Sequence, residues 1–212
     1  MPLGSPHRRR ARLRRGRPIA VLDLLGVLAI AVALALVAGC GGSGSSQASG
    51  AATDRAFVND MTPHHESAIE MASIAERRAE HPEIRGLAAS ITREQRDEIA
   101  QMAQLKSHLS TGGSKATLGL DMHAMGMDMH TDTLKSAQPF DRAFIDMMVP
   151  HHQDAIAMAK VELAKGRDSA ARALAQRIIA AQQREVAQMN GWRTKWYGAP
   201  VPPGAMGGMS HH

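Results

Sequence analysis

The stretch DRAFVNDMTPHHESAIEMA, residues Asp54 to Ala72, returns as DRAFIDMMVPHHQDAIAMA, residues Asp141 to Ala159. The copies share 12 of 19 positions at a constant offset of 87 residues. Each sets a Met, a Pro and two adjacent His within about one helical turn. A repeat of this kind is read before any other feature, because each copy is a unit that must bury its apolar face against the next.

Taking Phe57 as origin, Met61, His64, His65, Ala68, Met71 and Ala72 follow at i+4, i+7, i+8, i+11, i+14 and i+15. That is one face of a helix of period 3.6. Pro63 and Pro150 fall inside the pattern, where a proline removes one backbone donor and favours a kink. Val149 would cap a helix starting at Pro150 poorly, so each copy reads as one kinked helix with Asp54 or Asp141 as its N-cap. A second helix follows in each unit, over about 83–109 and 168–195. Its inner stripe is Ile91, Gln95, Glu98, Met102 and Leu105 in the first unit, and Ile178, Gln182, Glu185, Met189 and Trp192 in the second. His81-Pro82 and Gly166 break the helices apart. Aromatic residues make up 3% of the chain, and no stretch alternates as a strand would.

The expected fold is therefore all-α: two helical hairpins, units 54–110 and 141–197, closing as a four-helix bundle over 54–197. Swapping hairpins between two chains would satisfy the same pattern, so a homodimer is the alternative. Residues 111–138 read as a long connecting loop and 198–212 as a flexible tail.

The chain carries a formal charge of +5, but residues 1–39 alone hold seven Arg and one Asp. The remainder holds 18 Lys/Arg against 19 Asp/Glu, so the bundle has no electrostatic footprint for nucleic acid. The leader is an Arg-rich run followed by 15 apolar residues, Leu24 to Ala38. That length suits a signal peptide better than a membrane span, although an uncleaved anchor helix is the alternative. It ends in Leu36-Val37-Ala38-Gly39-Cys40, which resembles a lipobox, the signal after which the Cys is lipidated. The expectation is an exported lipoprotein held by Cys40 at the outer face of the cytoplasmic membrane. Cys40 is the single Cys, so no internal disulfide forms. Residues 40–53, rich in Gly and Ser, read as a tether.

The candidate chemistry lies in three places. His64, His65, His151 and His152 lie on the inner face, with Met61 and Met148 one turn away. Buried imidazoles need partners, and metal ligation competes here with a structural polar network. Glu98, Glu185, Gln95 and Gln182 lie on the facing stripe, where they could hydrogen-bond and orient the imidazoles or pair with Arg at the surface. The loop holds Met122, His123, Met125, Met127, Met129 and His130, and the tail repeats Met and His. Thioethers suit Cu(I), and imidazole accepts both copper oxidation states, so copper is the expected ion. Adventitious low-complexity sequence is the alternative for the loop. Zinc and nickel would gain little from the sulfurs. The Glu-x-x-His motifs of di-iron bundles are absent.

The pattern Phe57-x-x-x-Met61-x-Pro63-His64-His65-x-x-Ala68-Ile69-x-Met71-Ala72, with its second copy from Phe144 to Ala159, resembles the bacterial domain-of-unknown-function family numbered 305. The resemblance covers roughly 54–197 and implies a ferritin-like four-helix fold. It also implies export and copper binding, as for some members of that family, with Met61, His64, His65, Met148, His151 and His152 as the matching residues. The Met-rich loop lies outside the minimal motif.

The resulting expectation is a copper-binding protein for sequestration or transfer in copper tolerance, with other copper-handling proteins as partners. No catalytic constellation is evident, so no enzyme activity is expected. A redox metalloenzyme and a metal-free helical adaptor are the rival readings.

Overall fold

The structure, a computed structural model, describes residues 43–109, 118, 120 and 131–202, with side chains from residue 50 onward. Five helices are present among them: α1 (Ser43–Arg78), α2 (Pro82–His108), α3 (Thr131–Ser136), α4 (Phe140–Lys165) and α5 (Ser169–Tyr197). Hairpin α1–α2 and hairpin α4–α5 each pack internally, and they meet chiefly through α1 against α4. This is the expected four-helix bundle within one chain. None of the described helices is long and apolar enough to cross a membrane.

Local signals account for most helix ends. Pro82 occupies the first turn of α2, where its missing N–H has no intrahelical partner to lose. Asp168 caps α5, its Oδ1 accepting from the N–H groups of Ala170 and Ala171 at 3.0 and 2.9 Å. Gly198 closes α5 at φ 87, a left-handed conformation that glycine adopts without a Cβ clash. Both inner prolines lie inside unbroken helices, Pro63 in α1 and Pro150 in α4.

Three expectations are corrected. α1 begins at Ser43, so most of the supposed tether over 40–53 is helical; its small residues continue the helix rather than ending it. The loop expected over 111–138 contains α3, whose Leu134 is fully buried. Thr131 Oγ1 donates to Glu70 at 2.6 Å, and Arg78 donates to the Leu134 carbonyl at 2.9 Å. A single buried leucine and two tethers to α1 gave no periodic signal.

The third correction concerns Asp54 and Asp141. Neither is an N-cap of its own helix. Asp54 lies inside α1 and accepts from the backbone N–H of Arg167 and Asp168 at 2.7 and 3.1 Å. Asp141 accepts from the N–H of Glu80 and His81 at 3.0 and 2.8 Å. The two acceptors are repeat equivalents, and so are the two turns. Each hairpin thus ties down the other hairpin's turn by one buried carboxylate, at 2% and 1% exposure. His81 adds its Nδ1 to Asp141 at 2.6 Å and stacks on Trp196, ring centroids 3.7 Å apart.

The core forms two apolar clusters that exchange under the repeat. One joins Met71, Ile84, Leu87 and Ile91 to Phe144, Ile145, Met148 and Met189. The other joins Phe57, Val58, Met61 and Met102 to Met158, Leu174 and Ile178. Between them, on every long helix, lies a polar layer.

The halves differ beside Asp54. There Glu162 is fully buried, where the first unit has Ala75. Neither carboxyl oxygen of Glu162 has a hydrogen-bond partner by geometry, and Gly166 packs on it where a Cβ would collide. Burial first, then the Asp54 carboxylate, push the Glu162 carboxyl up to about 8. Because the folded value lies above the unfolded one, stability from the bound proton is full below about 4.5 and lost as pH rises towards 8. Glu162→Gln removes this dependence. The variant should melt several degrees above the parent at pH 8, roughly 2–4 °C for each kcal/mol recovered. The gap should close at pH 4; calorimetry across that range checks it, and a constant gap would mean that folding does not raise the Glu162 value.

Candidate metal centre

His64 and His65 on α1, and His151 and His152 on α4, are all at most 1% exposed. They are adjacent pairs on the inner helix faces, so one ring of each pair turns to the partner hairpin and one to the flanking helix. His64 and His151 meet at the α1–α4 contact, ring centroids 3.7 Å apart with planes inclined by 34°. His65 turns to α2 and His152 to α5. Each places Nε2 2.7 Å from a carboxylate, Glu98 Oε2 or Glu185 Oε2. The outer rings lie 6.4 and 6.3 Å from their inner neighbours.

These hydrogen bonds fix the tautomer. A carboxylate only accepts, so Nε2 donates and Nδ1 of His65 and His152 keeps a bare lone pair. By hydrogen-bond geometry neither Nδ1 has a partner, and neither does any ring nitrogen of His64 or His151. Gln95 Oε1 and both amide atoms of Gln182, all deeply buried, are also unpartnered. Buried polar atoms left in this state cost about 1–3 kcal/mol each. The arrangement, imidazole with one nitrogen on a carboxylate and the other free, is the usual environment of a ligating histidine. The donor set therefore fits a metal ion.

Burial, then the neighbouring imidazoles, hold His64 and His151 well below the usual histidine value. They are neutral and retain their lone pairs at neutral pH. Burial also pushes Asp154, the second unit's counterpart of Ser67, up to about 7.

Of the residues singled out in the sequence, the four histidines, Glu98, Glu185, Gln95 and Gln182 share one layer. Met61 and Met148, both fully buried, flank it in opposite apolar clusters. A single four-histidine site does not form, because the outer rings are turned away to Glu98 and Glu185. No three His, Cys, Asp or Glu side chains among the described residues make a ready cage. Glu98 and Glu185 are not surface partners of Arg: their side chains are 14% and 12% exposed and face His. Met122, His123, Met125, Met127, Met129, His130 and Cys40 lie outside the described residues.

The sequence reading missed the crossed carboxylates Asp54 and Asp141. Their identity in both copies was visible, but a capping role at the start of each unit explained it equally well. It also missed Met102 as a polar contact: Thr62 Oγ1 lies 3.7 Å from its sulfur.

A bundle with this duplicated His layer defines the class. The chain belongs to the family described as Domain of unknown function (DUF305), whose model matches residues 54–193. It is similar to CopM in its Cu(II)-bound form at 40% identity, over 68% of this chain and 97% of that one, with a TM-score of 0.60. CopM in its Cu(I)-bound form is 38% identical over 68% and 98% of the two chains, TM-score 0.58. A DUF305 protein from Streptomyces coelicolor, 24% identical over 76% and 98%, shares the fold at a TM-score of 0.62. No match is found among curated proteins.

The lowered values of His64 and His151 give a prediction with a definite sign. Above the ordinary imidazole value, about 6.5, folded and unfolded chains are both neutral and stability is full. As pH falls below it, the unfolded chain takes up protons that the folded one refuses, and stability drops. The melting temperature of metal-free protein should therefore fall from pH 7 to pH 5, and more steeply than in His64→Gln/His151→Gln. Parallel curves for the two proteins would show that these rings do not set the dependence.

Proposed function

We propose that this protein binds copper ions outside the cytoplasmic membrane and holds or hands them on, rather than catalysing a reaction. The observation that carries the reading is the set of six imidazole nitrogens, buried and without partners, between two methionine-containing clusters. Imidazole and thioether together suit copper in either oxidation state. The similarity to CopM, which has Cu(I)-, Cu(II)- and Ag-bound forms at 37–40% identity, supports the same metal class.

In this reading His64 and His151 supply the central donors, and His65 and His152 the outer ones. Glu98 and Glu185 keep the outer rings in the tautomer that exposes Nδ1. Met61 and Met148 stand one turn away as sulfur donors. The Met/His segment over 122–130 would collect or pass on ions. The leader and Cys40 would place the bundle at the outer face of the membrane through a lipid, where other copper-handling proteins are its partners.

The test is competition between the protein and a chromophoric chelator for Cu(I) and for Cu(II). His64→Gln/His151→Gln should abolish the tightest class of site. Glu98→Ala/Glu185→Ala should weaken it by roughly 10–100-fold, the usual effect of removing a ligand's orienting partner. Deleting residues 121–130 should lower the stoichiometry and spare that class. If the deletion removes all binding while the histidine variant keeps it, the bundle is not the copper site.

A further inference from the structure

The polar layer is closed at both ends of the bundle. Along α1 it lies between the clusters of Phe57 and Met71; along α4 it lies between those of Phe144 and Met158. α1 and α4 pack face to face. On the opposite side α2 and α5 touch only sparsely, and between them run two adjoining recesses of about 540 and 350 Å³. Both are lined by Glu94, Ala181 and Arg184. Glu185 lines the first and Glu98 the second.

Those two carboxylates are the ones that hold His152 and His65. Each is the partly exposed end of a short polar chain: groove, glutamate, outer imidazole, inner imidazole. Glu83 and Asp97 add further negative charge to the walls, against the guanidiniums of Arg177 and Arg184. An acidic lining alone would mean little. Here each wall carboxylate is backed by a fully exposure-free imidazole, 0% accessible, whose Nδ1 has no partner. Gln182, one turn from Glu185 and 2% exposed, is also unpartnered at both amide atoms.

We infer that the α2–α5 groove is the route by which metal cations enter and leave the histidine layer, with Glu98 and Glu185 as the two points of transfer onto the outer imidazoles. This inference rests on the copper reading above and adds the path to it. The groove attracts the cation electrostatically, as acidic clefts do. The glutamates hold a partly hydrated ion in an oxygen environment before it passes inward to the free Nδ1 of the outer ring. The duplicated chain gives the layer two such entrances, one per hairpin.

The route predicts a kinetic signature. Trp192 lines the groove with Glu185, so arriving Cu(II) should quench its fluorescence in a stopped-flow experiment on the full chain. Ala181→Phe fills space shared by both recesses without adding a tryptophan. It should slow Cu(II) association and release alike, by roughly tenfold, and leave the equilibrium affinity within about twofold. Glu94→Arg reverses charge on the opposite wall without touching a histidine. It should slow association by roughly tenfold at low salt and flatten its ionic-strength dependence. Unaltered association rates in both variants, with the quenching amplitude intact, would overturn the route and spare the copper site. Loss of all quenching in the parent protein, or full amplitude in His64→Gln/His151→Gln, would overturn the site and the route together.

Discussion

The structure depends on one constraint: four imidazoles are buried in a single layer between two apolar clusters. Six of their nitrogens have no hydrogen-bond partner. At about 1–3 kcal/mol for each orphaned buried polar atom, the layer approaches the whole net stability of a typical domain, about 5–15 kcal/mol. Apolar side chains of similar volume would pack there at no such cost. A cation with nitrogen and sulfur affinity would satisfy the four of these nitrogens that carry a lone pair; the other two, one each on neutral His64 and His151, carry a proton. The lowered values of His64 and His151 work in the same direction, because a ring that refuses a proton is free to bind a metal.

The layer can exist because the two hairpins are locked in register. Asp54 holds the turn at Arg167 and Asp168, and Asp141 holds the turn at Glu80 and His81. Each carboxylate satisfies two backbone N–H groups at the start of a helix of the other hairpin, where orphan donors and the helix dipole both favour negative charge. The bonds cross between units at opposite ends of the bundle, so a sliding motion of α1 along α4 would break one pair or the other. That register brings His64 onto His151. The same crossing makes one chain sufficient for the bundle: each hairpin finds its partner turn within the chain.

Much of this was legible in the sequence, and the limits have physical causes. Periodicity placed Phe57, Met61, the His pairs and the stripe of Gln95 and Glu98 on inner faces, because burial of a helix face is a local property. The repeat gave the second half at no further effort. What periodicity could not give was direction. Adjacent histidines on a helix point about 100° apart, so only one of each pair can face the other hairpin, a distinction that placing all four on the inner face does not make. Asp54 and Asp141 were misread for a related reason. An Asp near an assumed helix start looks like a cap, and its true donors lie more than a hundred residues away in one case and about sixty in the other. α3 carries too few residues to show a period at all.

The departures from symmetry are as informative as the symmetry. His81 in the first unit corresponds to Asp168 in the second, and Ala75 to Glu162. Where the first unit puts an imidazole against its crossed carboxylate, the second puts a second carboxyl, held in its neutral form by burial. The central layer shows no such drift: His, Glu and Gln recur at every equivalent place. That contrast bears on the metal. A closed zinc site asks for about four tetrahedral ligands, and no three His, Asp or Glu side chains among the described residues converge in that way. Pairs of imidazoles with thioethers one turn away instead suit an ion content with few, soft donors. In the proposed reading Cu(I) is such an ion, with the two half-layers that meet at His64 and His151 as its donors.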